Sequence, residues 1–171
     1  MDSPTRILVD EHTVILRALD LLEAGVSRLE AGTAPPEAWW QNLVAWLRGF
    51  ADETHHGKEE RLLFPAMSRA GGLPCGGDPI AVMLHEHVEG RMLVTAIANG
   101  AADAARRARA GHAFAGLLRA HIDKENLILF PMADAALDPP ARAALLEAFA
   151  AAGTDSGADA RLTRLAAALG A

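Results

Sequence analysis

Seven histidines stand at positions 12, 55, 56, 85, 87, 112 and 121. A histidine on an apolar helix face is ordinarily a satisfied core residue, so only a pattern can single out a site. The pattern is an internal repeat. HHGKEERLLFP (55–65) and HIDKENLILFP (121–131) share His-x-x-Lys-Glu-x-x-x-x-Phe-Pro. His55 thereby aligns with His121, Lys58 with Lys124 and Glu59 with Glu125. A Glu-His pair lies upstream of each copy, Glu11-His12 before the first and Glu86-His87 before the second. Both halves of the chain therefore read as a Glu-His helix followed by a His-x-x-x-Glu helix.

On a helix, residues i and i+4 share one face about one turn apart. His55 and Glu59 point the same way, as do His121 and Glu125. Apolar stripes run through them: Val44, Leu47, His55, Glu59 and Leu62, and Leu117, Leu118, His121, Glu125 and Ile128. His12 falls on the stripe of Leu8, Ile15, Leu16 and Leu19, and His87 on that of Met83, Leu84 and Val94. Four imidazoles and two carboxylates are thus predicted to face the interior. Burying carboxylates without partners costs several kcal/mol each. Lys58 and Lys124 do not share a face with Glu59 and Glu125, so a pair of metal ions is the expected source of compensating charge. Imidazole with carboxylate suits iron, manganese or zinc rather than copper(I) or calcium. Open coordination positions and residual positive charge would favour a bridging oxide or hydroxide, and dioxygen or nitric oxide as an added ligand. The Glu-x-x-His spacing of ferritin-like di-iron bundles occurs once, at Glu53–His56, and no His-Glu-x-x-His motif is present.

The elements that must carry these residues read as helices throughout. Asp2-Ser3-Pro4 is a cap followed by proline in the first turn, and apolar residues then recur at three- and four-residue steps to Leu29. GTAPPE ends that helix. A second helix is predicted from Glu37 to Ser68, with Pro65 kinking or fraying its end. Asp78-Pro79 caps a third, reaching Asn99, and a fourth covers 102–134. Asp138-Pro139-Pro140 opens a fifth segment, and RLTRLAAALGA is a short amphipathic tail behind the linker GTDSGAD. Short loops between long helices predict an all-α, up-down antiparallel four-helix bundle. The expected division is a bundle over 1–136 and a C-terminal helical extension over 137–171, packed on the bundle or at a homodimer contact.

The 171 residues suit one such domain. The formal charge of −6 argues against nucleic acid as a partner. No apolar run approaches the ~20 residues of a membrane span, and no apolar leader opens the chain, so the expected location is the cytoplasm. Cys75, the one cysteine, sits in the Gly/Pro loop GGLPCGGDP and reads as incidental. His85 reads as a surface residue and His112 as structural, while Trp39, Trp40 and Trp46 read as packing.

Together these motifs resemble the hemerythrin-like, or HHE cation-binding, family over residues 7–133. The resemblance implies a four-helix bundle with a non-haem di-iron site. Carried over position by position, it implies His12, His55, Glu59, His87, His121 and Glu125 as ligands, with the two glutamates as bridges. Oxygen-carrying members have a further histidine one turn after the position of His87, where this chain has Arg91. A protonated arginine cannot coordinate a metal, so one ion loses a ligand or takes one from His56, Glu60 or Glu89. Glu11 and Glu86 read either as acceptors for the ligating imidazoles or as exposed residues. The expected function is binding of, or reaction with, dioxygen, peroxide or nitric oxide. The alternative is an iron-responsive sensing module without catalysis.

Overall fold

The computed structural model describes residues 3–71 and 78–170. Within them there are six helices and no strand: α1 (Pro4–Glu30), α2 (37–70), α3 (Pro79–Ala98), α4 (104–136), α5 (Pro139–Ala152) and α6 (Ala158–Leu169). Cys75 lies outside the described residues. No described helix is long and apolar enough to cross a membrane.

Local chemistry starts the helices where side-chain oxygens can take the free N–H groups of a first turn. Ser3 accepts from Arg6 N, Asp78 from Ala81 N and Asp138 from Ala141 N, and each is followed by proline. The fourth helix begins slightly later than its sequence pattern indicates. Asn99–Ala102 form a 3₁₀ turn, and Asp103 caps the helix by accepting from Arg106 N.

The prolines of the repeat do not end their helices. α2 continues through Pro65 to Ala70, and α4 through Pro131 to Ala136. In each case a π-wound turn precedes the Phe-Pro pair, Glu59–Leu63 in α2 and Glu125–Leu129 in α4. Proline lacks an N–H and its ring collides with the carbonyl four residues back. The wider turn relieves both problems, because its hydrogen bonds skip one more residue. It also advances the buried face by one position. Leu63 and Leu129 are buried, whereas Leu62 is only partly covered and Ile128 is exposed, contrary to the regular stripe. Leu84 likewise lies outward.

Two apolar cores result. One gathers Leu19, Leu22, Val26, Trp40, Leu43, Leu47, Val94, Phe114 and Leu118. The other gathers Leu8, Leu63, Phe64, Met67, Ile80, Met83, Leu129 and Phe130. Along every one of the four long helices, the segment between these clusters carries buried polar residues: Glu11 and His12; His55, His56, Lys58 and Glu59; His87; and His121 and Glu125. The C-terminal helices extend the two cores separately. α5 adds Leu145 and Phe149 to the second, and α6 adds Leu162, Leu165 and Leu169 to the first. The indoles of Trp39 and Trp46 fasten α6 by donating to Leu165 O and Ala158 O, each at 2.9 Å.

Replacing Trp46 by Phe removes the indole donor to Ala158 O, while that carbonyl keeps its place in the first turn of α6. The expected cost is about 0.5–1.5 kcal/mol, concentrated in α6. Hydrogen exchange should accelerate over 158–169 while α1 and α4 keep their protection.

Candidate metal centre

Four imidazoles in the polar layer are each held from outside by an oxygen. His55 Nδ1 donates to Glu11 Oε2 at 3.0 Å and His121 Nδ1 to Glu86 Oε2 at 2.8 Å. His12 Nδ1 donates to Asn126 Oδ1 at 2.9 Å and His87 Nδ1 to Glu60 Oε1 at 2.7 Å. A carboxylate or amide oxygen only accepts, so the proton sits on Nδ1 in all four rings. Their Nε2 atoms face the centre, where those of His87 and His121 lie 3.1 Å apart. This is the arrangement that orients ligating histidines and makes them more basic. Lys58 and Lys124 complete the outer ring by pairing with Glu11 and Glu86.

The two carboxylates occupy the middle, with no solvent exposure at either side chain. Glu59 Oε1 lies 3.5 Å from His55 Nε2, and its Oε2 lies 3.5 Å from His87 Nε2. Glu125 Oε2 lies 3.1 Å from His12 Nε2, and its Oε1 lies 3.2 Å from His121 Nε2. The candidate ligand atoms fall into two convergent groups, His12, His55, Glu59 and Glu125 in one, and His56, Glu59, His87 and His121 in the other. Each carboxylate therefore spans from an imidazole of one group to an imidazole of the other.

The six residues singled out in sequence are all brought together, and His56 joins them. π winding over Leu47–His56 lets successive residues diverge less than the about 100° of an α-helix, so His55 and His56 both turn inward. The His56 ring stacks on His87, with centroids 3.9 Å apart and planes at 16°. Glu60 is not in either group; it occupies the outer nitrogen of His87. Glu89, His85 and His112 are exposed. Glu11 and Glu86 are acceptors for the imidazoles rather than bystanders. Asn126 does the same work and escaped sequence reasoning, although the repeat aligns it with Glu60.

The metal-free centre is chemically incomplete. His12 Nε2, both nitrogens of His56 and all four oxygens of Glu59 and Glu125 are buried without a hydrogen-bond partner. Burial pushes the Glu59 carboxyl well above its ordinary range, and the adjacent Glu125 charge adds to this. Burial opposes ionisation of Glu125 too, but the imidazoles of His12 and His121 hold its carboxyl well below the ordinary range. Burial, with neighbouring imidazoles, lowers His56 to about 4 and His87 to about 3. Both rings are neutral at pH 7, as ligands must be. Orphaned imidazole nitrogens and carboxylate oxygens in two convergent groups fit a pair of divalent or trivalent transition-metal ions.

A family model for the hemerythrin HHE cation-binding domain matches residues 3–133. The chain belongs to this family. Among curated proteins it is similar to one from Mycobacterium bovis and two from Mycobacterium tuberculosis, all described as uncharacterized. Each is 28% identical over 132 residues, covering 72% of this chain and 51% of the relative. The chain thus spans about half the length of the curated relatives it matches. No solved structure matches it. For a hemerythrin HHE domain, the telling local feature is the double histidine 55–56, which brings a fifth imidazole to the centre where Arg91 brings none.

The lowered His56 value has a stability consequence in the metal-free protein. The folded state resists protonating His56 until about pH 4, whereas the unfolded chain protonates it near 6.5. Below pH 6.5 the unfolded state therefore binds more protons, and His56 removes stability as pH falls towards 4. Replacing His56 by Gln should make the pH dependence of metal-free stability shallower across this window, by up to roughly 1.4 kcal/mol per pH unit. Urea unfolding at pH 6.5 and pH 5 measures the difference.

Proposed function

We propose that this protein is a non-haem di-iron hemerythrin-like protein that binds or reacts with dioxygen, peroxide or nitric oxide. The observation that carries this reading is the pair of fully buried carboxylates, each placed between two imidazoles and none of their oxygens hydrogen-bonded. In this reading His12 and His55 would hold one ion, and His56, His87 and His121 would hold the other. Glu59 and Glu125 would supply carboxylate oxygens to both. The scaffold is the up-down antiparallel arrangement of α1 to α4 over residues 1–136, with residues 137–171 as its extension. The working location is the cytoplasm, without nucleic acid or membrane as partner.

A bound iron pair would supply electrons and open coordination positions for small oxygen or nitrogen species. The protein's own residues supply the rest. Glu11, Glu86, Asn126 and Glu60 fix four imidazoles in the tautomer that presents Nε2 inward. The apolar cores on either side, with Phe130 stacked on His12 and Phe64 on His87, exclude bulk water from the centre. Exclusion of water strengthens every charge interaction there. A cavity of about 200 Å³ reaches His56 and His87, with Leu47, Ala51, Val94 and Phe114 on its apolar side and Arg48, Asp52, Glu53 and Arg91 on its charged side. It gives a small molecule a route to these two imidazoles. Manganese and zinc accept the same donors, so iron loading must be established directly.

Two outcomes are expected. Iron-replete protein should show ligand-to-metal charge-transfer absorption that changes when peroxide or nitric oxide is added; an unchanged spectrum would contradict the reactivity. The double variant Glu59→Ala, Glu125→Ala should bind no iron under conditions that load the parent. Full loading of that variant would remove the assigned bridges.

A further inference from the structure

Arg91 lies one turn beyond His87 on α3, and its guanidinium reaches across to α2. Nε donates to Asp52 Oδ1 at 2.8 Å, and Nη2 donates to Glu60 Oε1 at 2.7 Å. Nη2 also lies 2.7 Å from Asp52 Oδ1. These two acids are the outer neighbours of the two stacked imidazoles. Glu60 Oε1 accepts from His87 Nδ1 as well as from Arg91, and Asp52 Oδ1 lies 3.5 Å from His56 Nδ1. All five side chains meet midway along α2 and α3, and four of them (Asp52, His56, His87 and Arg91) line the 200 Å³ cavity.

We propose that Arg91 is the positioning residue for the second ion: it locks Glu60, which aims His87 by a hydrogen bond, and holds Asp52 as the charged neighbour of His56. The proposal rests on the two-ion reading above. Its physical basis is the planar fork of the guanidinium, which can serve two carboxylates at fixed angles where an ammonium acts as a point charge. The Arg91 side chain is 40% exposed, and such part-exposed pairs add little to folding stability. The network's effect is therefore on ring orientation, where partners of ligating imidazoles act on metal affinity. His12, His55 and His121 have outer partners that do not involve Arg91, so the effect is confined to one ion.

Charge and positioning make opposite predictions. A cation beside a metal site repels the metal, so removing Arg91 purely as a charge would tighten the second ion. Removing it as a positioning group would weaken that ion. The full-length chain, freed of metal, is titrated anaerobically with iron(II), reading ions per chain and the affinity of each step. The comparison includes the parent, Arg91→Gln, Arg91→Lys and Asp52→Asn, with Arg119→Gln as control. Arg119 pairs with Asp20 and Glu23, away from the centre. The parent should take two ions. Arg91→Gln and Arg91→Lys should keep the first at parental affinity and weaken the second by roughly ten- to a hundredfold. Asp52→Asn, which spares the Glu60 contact, should show a smaller loss of the same sign, and the control none. An unchanged or tightened second ion in Arg91→Gln, recovery by Arg91→Lys, or equal weakening of both ions would each overturn the assignment. A parent that takes fewer than two ions would instead overturn the two-ion reading itself, and this proposal with it.

Discussion

Glu59 and Glu125 sit side by side in the middle of the protein with no access to water, and the rest of the structure is organised around that strain. An ionised carboxylate removed from water costs several kcal/mol unless it is paired and hydrogen-bonded. The protein's own cations do not reach these two. Lys58 is committed to Glu11 and Lys124 to Glu86, while Arg91 answers only part of the charge on Asp52 and Glu60. The centre is left with two carboxyl groups ringed by imidazoles whose Nε2 atoms face inward. That combination attracts metal cations and discourages anything else.

Such a layer persists only because the chain above and below it packs well. The two apolar cores fix all four long helices on both sides of the polar residues, so the imidazoles cannot swing out to water without disturbing packing at either end. α5 and α6 reinforce one core each. The π-wound turns before the two Phe-Pro pairs are part of the same arrangement. They admit a proline into the helix and restore the apolar face at Leu63 and Leu129, while the separate π-wound stretch Leu47–His56 brings two consecutive histidines of α2 to one side.

Much of this was legible in the residues alone. The doubled His-x-x-Lys-Glu motif, read with helical periodicity, is sufficient to place His55 with Glu59 and His121 with Glu125, because i and i+4 geometry is local. The all-helical architecture follows from caps and spacing at Ser3, Asp78 and Asp138. Other features depend on tertiary contacts or on departures from regular winding. Ile128 fits an α-helical stripe and lies outside because the turn there is wide. His56, in sequence only one of three residues that could replace a missing ligand, turns inward because α2 is π-wound over Leu47–His56. Asn126 and Arg91 carry no metal-binding signature; their roles come from what stands opposite them across helix pairs more than twenty residues apart, which periodicity cannot reveal. The fastening of α6 by Trp39 and Trp46 is a long-range contact of the same kind.

The central claim is that the buried glutamate pair is a bridge between two metal ions. The most direct measurement is the magnetic state of oxidised, iron-loaded protein at low temperature, combined with its iron count per chain. Two irons joined through Glu59 and Glu125 should be coupled, with their spins cancelling in the ground state and no signal from isolated ferric ions. A protein that carries a single iron, or two that behave as independent high-spin ions, would contradict the account.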